Sequence, residues 1–332
     1  MSTPRTFAAL LEAFFTARLM SQKMASPQTI AAYRDTFRLI LRYASKRRKT
    51  APSALRFDDF DASLICDFLD HLEKERNNSP RTRNHRLAAI RSFFRYAALE
   101  EPAFAERIQR ILAIPTKRWE KKTVDFLTRL EVDALLAAPD TESWAGRRDH
   151  ALLSLAVHTG LRVSELTGLL CQDVTLGTGP HIRCHGKGRK ERAVPLSKTV
   201  ARTLRVWLRE RNGQDREPLF PNAQGHKLSR DGVDYILRKH VRTAANSCPS
   251  LRRKRVTPHT LRHTTAVQLL QAGFDLSLIA LWLGHEYVES TQIYIDSDIE
   301  HKRKILEKTP PFNGQFVRFR PSDSLMAFLD SL

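Results

Sequence analysis

Cysteine is scarce in this chain, and acidic residues are outnumbered. Cys66, Cys171, Cys184 and Cys248 stand far apart among 332 residues, with no C-x-x-C pair. That pattern excludes a zinc ribbon and a disulfide framework and reads as reduced, cytoplasmic thiols. Long apolar runs are lacking too: none approaches the ~20 residues of a membrane span. The first residues do not read as a secretory signal, because Glu12 and Arg18 interrupt their apolar positions. Internal repeats and low-complexity stretches are absent. Asp and Glu number 36 against 55 Lys and Arg, for a formal net charge of +19. A balance that basic points to a polyanionic partner, nucleic acid or an anionic membrane surface, with a cationic surface kept for solubility as the bland reading; the lack of a membrane span weakens the membrane reading. The charge is spread along the chain: 22 basic and 12 acidic residues give +10 through Arg118, and the remainder carries +9.

The first 114 residues read as helices. Leu10, Leu11, Phe14, Phe15 and Leu19 recur at helical spacing, and Ser26-Pro27 is a cap followed by proline at the first helical position. Ile30, Tyr33, Phe37, Ile40, Leu41 and Ala44 then form one apolar stripe, with Arg34, Arg38 and Arg42 as a row elsewhere on that helix. Leu64, Ile65, Phe68, Leu69 and Leu72 mark a third helix. Ser79-Pro80 opens a fourth, whose apolar side holds Leu87, Ile90, Phe93 and Phe94. Asn84, Arg91 and Arg95 share another side of it, with Arg81 near its start. An arginine-bearing helix face either enters a DNA groove or is a solvated surface. Two of them in one basic domain favour DNA.

The charged stretch 115–122, PTKRWEKK, breaks the pattern and reads as a linker. Beyond it Thr128 to Glu131 is a capping box, and Leu152, Leu153, Ala156 and Val157 imply a buried helix ending near Gly160. Residues 181–196 read as a β-hairpin with a basic, glycine-bearing turn. Helical patterns resume from Thr199 and Arg230, and Thr257-Pro258 opens a helix that stops at Gly273.

Five pieces of the second half carry chemistry: TGLRVSEL (159–166), GKGRKER (186–192), PHTLRH (258–263), LGH (283–285) and Tyr294. Singly each has a bland reading, such as a surface arginine, a turn lysine or a core aromatic. His259 and His263 stand at i, i+4 as a metal pair would, but the H-E-x-x-H glutamate and a third ligand are missing. Taken together and in order, these pieces resemble the tyrosine recombinase family of phage-type integrases, Xer-like resolvases and mobile-element integrases. The family signature of Arg, Lys, His-x-x-Arg, His or Trp, and Tyr corresponds here to Arg162, Lys187, His259 with Arg262, His285 and Tyr294. Tyr294 follows His285 by the interval the family uses, and Glu165 matches an acidic residue that braces the family's site.

The residue types suit the reaction on physical grounds. Attack on a phosphodiester gathers negative charge that two fork-shaped guanidiniums can clamp. Bringing a tyrosine pKa from about 10 to about 7 requires roughly 4 kcal/mol, a task for Arg162, Arg262 and a proton acceptor, His259. The departing sugar 5′-oxygen needs a proton, which Lys187 can bring; His285 would hydrogen-bond a non-bridging oxygen. No metal or other cofactor is expected. A type IB topoisomerase shares the nucleophile and clamp but usually carries lysine where this chain has His259. A non-catalytic DNA-binding factor would not require all six positions filled.

The resemblance implies a mainly α fold. A helical, SAM-like DNA-clamp domain (1–114) and a linker (115–122) would precede a mostly helical catalytic domain with a small antiparallel sheet (123–308). A tail (309–332) follows. It also implies double-stranded recombination sites as partners and a homo-tetramer on paired sites, alone or with related recombinases. In the tail, Ser322 can cap a short helix with Leu325, Met326, Phe328, Leu329 and Leu332 on one face. That face would dock on a neighbouring subunit or on its own catalytic domain.

Overall fold

The computed structural model describes residues 6–119, 125–186 and 191–284. The chain divides into two compact units, Met1–Lys121 and Lys122–Leu332. Lys187, His285, Tyr294, the end of the linker stretch and the whole tail lie outside the described residues. No described helix is long and apolar enough to cross a membrane.

The first unit is helical, and its helix starts fall where side-chain oxygens can cap them. Thr6 caps α1 (Phe7–Ala13), Ser26 caps α2 (Pro27–Arg48), Asp61 caps α3 (Ala62–Lys74) and Ser79 caps α4 (Pro80–Glu100). A short α5 (Ala105–Leu112) completes the set. The first helix does not stay α-helical, as its spacing predicts. From Phe14 to Gln22 it widens to π-helical bonding, and the Lys23 N–H reaches back five residues to the Arg18 carbonyl. The wider turn swings Leu19 back toward the face of Phe14, so both are buried. The core is a cluster of phenylalanines. Phe7 stacks on Phe60 with centroids 4.2 Å apart and meets Phe93 edge-on at 5.3 Å. Each such ring contributes about 1.5–3 kcal/mol by leaving water.

The second unit is built around α7 (Trp144–Thr159), preceded by α6 (Arg129–Ala137), which the Thr128/Glu131 capping box opens as expected. Every residue from Ala151 to Val157 is buried, so this helix is enclosed on all sides rather than amphipathic. A six-residue α8 (Val163–Gly168) follows. The hairpin is present as β2 (His181–His185) and β3 (Glu191–Pro195), with Ile182 opposite Val194 and Cys184 opposite Arg192. A third antiparallel strand, β1 (Val174–Thr175), pairs with β2; its two residues are too few to show a period in the sequence. Then come α9 (Lys198–Arg211), α10 (Arg230–Ala244), α11 (Pro258–Gln271) and α12 (Leu276–Leu283). Helix α11 packs on α7, and its buried threonines are satisfied by carbonyls: Thr264 Oγ1 donates to Thr260 at 2.8 Å, and Thr265 Oγ1 to Val157 of α7 at 2.7 Å.

Candidate active site

Three of the motif pieces converge because a fourth, at the end of a helix, supplies unpaired carbonyls. The last carbonyls of a helix have no partner within it and form the negative end of its dipole. Helix α12 ends at Gly284, in the left-handed region at φ +64°. Three guanidiniums meet its final carbonyls. Arg192 Nε donates to Trp282 at 3.3 Å, Arg262 Nη2 to Leu283 at 2.8 Å, and Arg162 Nη2 to Gly284 at 2.9 Å. Arg262, 3 % exposed, also donates to the Gly160 carbonyl at 2.7 Å. The glycine of LGH therefore has a structural reason. It supplies the positive φ, and a Cβ there would lie 2.7 Å from Arg192 Nη1.

One buried carboxylate organises the cluster. Glu165 accepts the Arg162 backbone N–H at 2.8 Å, closing the first turn of α8, and the Arg162 side chain at 3.1 Å. Both of its oxygens also receive Arg192, at 2.9 and 3.0 Å. Burial alone would push the Glu165 carboxyl up. The hydrogen bonds from Arg192 and Arg162, with their charges, outweigh it and hold the group below its ordinary range, so it is ionised. Arg192 is correspondingly raised: burial opposes its charge, and Glu165 restores it.

His259 stands in the first turn of α11, with part of its surface exposed. Desolvation and then the charges of Arg262, Arg230 and Arg162 push its imidazole below the usual value, toward the neutral form. His263 lies one turn further on, with ring centroids 6.2 Å apart. Burial, His259 and Arg262 push it down to about 4. The geometry thus brings Arg162, Glu165, His259 and Arg262 together. Sequence reading missed Arg230, at the start of α10, and Arg192. A signal for Arg192 was available. It shares strand parity with Val194 and faces Cys184 in the register, so it points toward the apolar side of the hairpin, where an arginine needs a partner.

The second unit also carries a cavity of about 700 Å³ whose lining includes the basic residues Arg238, Arg242, Arg252, Lys254 and Arg255. In the first unit Arg34, Arg38 and Arg42 lie exposed along α2, Arg34 beside Asp35 at 3.1 Å, and Arg81 and Arg95 are exposed on α4. Asn84 and Arg91 make hydrogen bonds within the unit. Asn84 is 9 % exposed and holds the backbone of Lys117 from both sides, accepting its N–H at 3.0 Å and donating to its carbonyl at 2.8 Å. Arg91 donates to the Ile114 carbonyl. Both fasten the chain leaving α5 onto α4.

Residues 125–301 match the phage integrase family, and residues 13–101 match the phage integrase N-terminal SAM-like domain. The chain belongs to the phage integrase family of tyrosine recombinases. An integrase/recombinase of Sinorhizobium fredii, y4rC, is 55% identical over 332 residues, the full length of both chains. The tyrosine recombinase XerC of Pelobacter propionicus is 33% identical over 298 residues, covering 90% of this chain and 94% of its own. Among solved structures, the XerH site-specific recombinase bound to its difH substrate before cleavage superposes with a TM-score of 0.64 at 25% identity. That match covers 90% of this recombinase and 83% of XerH. The mainly helical fold with its small antiparallel sheet is the tyrosine recombinase fold. The recombinase is a site-specific DNA-breaking and rejoining enzyme.

Proposed function

We propose that this recombinase cleaves DNA by attack of the Tyr294 hydroxyl on a phosphodiester. The Tyr294 oxygen bonds to phosphorus, the bond from phosphorus to the sugar 5′-oxygen breaks, and a 3′-phosphotyrosyl linkage and a free 5′-hydroxyl result. The observation that carries the reading is the placing of Arg162 and Arg262 on adjacent carbonyls, Gly284 and Leu283, with the His259 ring in their field. Two guanidiniums so close suit the non-bridging oxygens of one phosphate. His259, held toward its neutral form, accepts the phenol proton, and Glu165 fixes Arg162. Lys187 delivers a proton to the 5′-oxygen, and His285 donates to a non-bridging oxygen. The linkage retains the energy of the broken bond, so a second 5′-hydroxyl can reverse the chemistry and exchange strands.

The exposed arginines Arg34, Arg38, Arg42, Arg81 and Arg95 grip the double-stranded site in this reading, and the catalytic unit acts on it. Exchange takes place in the cytoplasm within a homo-tetramer on paired sites, alone or with related recombinases. The apolar face at Leu325 to Leu332 docks on the neighbouring subunit.

The test begins with duplexes enriched by the full chain from a random-sequence library. A nicked suicide form of the enriched site should accumulate a covalent protein–DNA adduct, and two intact copies should exchange strands. Absence of an adduct, or relaxation of supercoils without exchange between sites, would overturn the reading.

A further inference from the structure

Arg192 is the arginine of the cluster that no signature residue accounts for, and its geometry differs from that of Arg162. Both reach Glu165 and a carbonyl at the end of α12, but Arg192 side-chain exposure is 15 % and that of Arg162 is 31 %. Arg192 lies inside and Arg162 outside. An ionised carboxylate offers roughly four acceptor positions. Here the fork of Arg192 takes two, the Arg162 backbone N–H takes a third, and a single N–H of the Arg162 side chain takes the last. The Arg162 side chain thus gives Glu165 one N–H and the Gly284 carbonyl another, and its remaining donors are left to a phosphate.

Charge leads to the same conclusion. Arg162, Arg192 and Glu165 together carry one net positive charge, while Arg162 and Glu165 alone would carry none. With Arg192 removed, the two vacated acceptor positions on a carboxylate only 3 % exposed face little but Arg162. The Arg162 guanidinium would close on Glu165 in a two-point pair and be withdrawn from any phosphate. We propose that Arg192 is a positioning residue that occupies and neutralises Glu165, leaving the Arg162 guanidinium and its charge to the scissile phosphate. The role rests on the reading of Arg162 given under Proposed function. Because Arg192 lies on β3 and donates to Trp282 of α12, it also ties the hairpin strand to the end of that helix.

The experiment measures adduct formation by the full-length chain on the enriched suicide duplex, in two versions. One has an ordinary scissile phosphate; in the other a methyl group replaces a non-bridging oxygen and removes the charge. Arg192→Met should slow cleavage of the ordinary duplex roughly 100-fold, the scale of losing one charged donor at a reacting oxyanion. On the neutral methylphosphonate the deficit against the unaltered chain should shrink to within about 10-fold, because that phosphorus makes little demand on Arg162. The double variant Arg192→Met, Glu165→Gln leaves no uncompensated buried charge and so guards against simple misfolding. It should recover most of the loss on the ordinary duplex. A deficit equal on both duplexes and unrelieved by Glu165→Gln would overturn the role of Arg192 alone. No adduct from the unaltered chain would overturn the nucleophilic reading, and this inference with it.

Discussion

His263 illustrates how one imidazole ties the site to stability. Burial, His259 and Arg262 hold its pKa at about 4, below the ordinary histidine value of about 6.5. As pH falls, the unfolded chain therefore takes up the proton before the folded chain does. The stabilisation is fully present above about pH 6.5 and is lost as pH falls toward about 4. The loss amounts to about 3 kcal/mol across that window. His263→Gln should flatten this acid limb, measured as the change in Tm between about pH 4 and 7. Acid limbs of equal steepness in the variant and the unaltered chain would show that another group titrates there. At the same scale, Arg162, Glu165, His259 and Arg262 were legible because their types and order carry the family pattern. Arg192 was missed because no signature position names it, although its parity with Val194 on the hairpin strand placed it on the apolar side. Asn84 and Arg91 read as candidate DNA contacts because a helical wheel shows which side a residue takes but not which chain segment returns across it. The segment from Ile114 to Lys117 uses both.

Among the elements, α7 and α12 do most to place the chemistry, and both end in a left-handed glycine. Gly160, at φ +62°, caps α7 and offers its carbonyl to Arg262. A Cβ there would lie 2.7 Å from Leu283 Cδ2 and 3.2 Å from Thr265 Cβ. Gly160→Ala should therefore combine left-handed strain of about 1–2 kcal/mol with a steric clash of about 1 kcal/mol or more. Urea unfolding should show a loss of at least about 2 kcal/mol, with a fall in cleavage as Arg262 is displaced. A midpoint unchanged from the unaltered chain would contradict this account of the α7 end. The capped helices and the hairpin were legible from Ser-Pro, Thr-Pro and Thr-x-x-Glu starts and from alternation around the glycine turn. The π-helical stretch was not, since Phe14, Phe15 and Leu19 fit an α-helical stripe almost as well. Nor was β1, whose two residues acquire meaning only beside β2.

Across the whole molecule, positive charge governs how the recombinase meets DNA. The +10 carried through Arg118 predicts that the first unit, expressed alone, binds duplex DNA with a steep dependence on salt. If the exposed Arg34, Arg38, Arg42, Arg81 and Arg95 all reach phosphates, the log–log slope of affinity against salt is roughly −4.5. Fluorescence anisotropy with a labelled duplex measures it, and a slope near zero or no binding at low salt would leave the gripping to the second unit. The reaction itself turns on one oxygen atom. Tyr294→Phe removes the proposed nucleophile and keeps the ring, so the full-length variant should bind the enriched duplex with nearly unchanged affinity and form no covalent adduct on its suicide form. Peptide mapping of the adduct from the unaltered chain should place the DNA on Tyr294. An adduct that persists in Tyr294→Phe, and maps to Tyr287 or any other residue, would contradict the account.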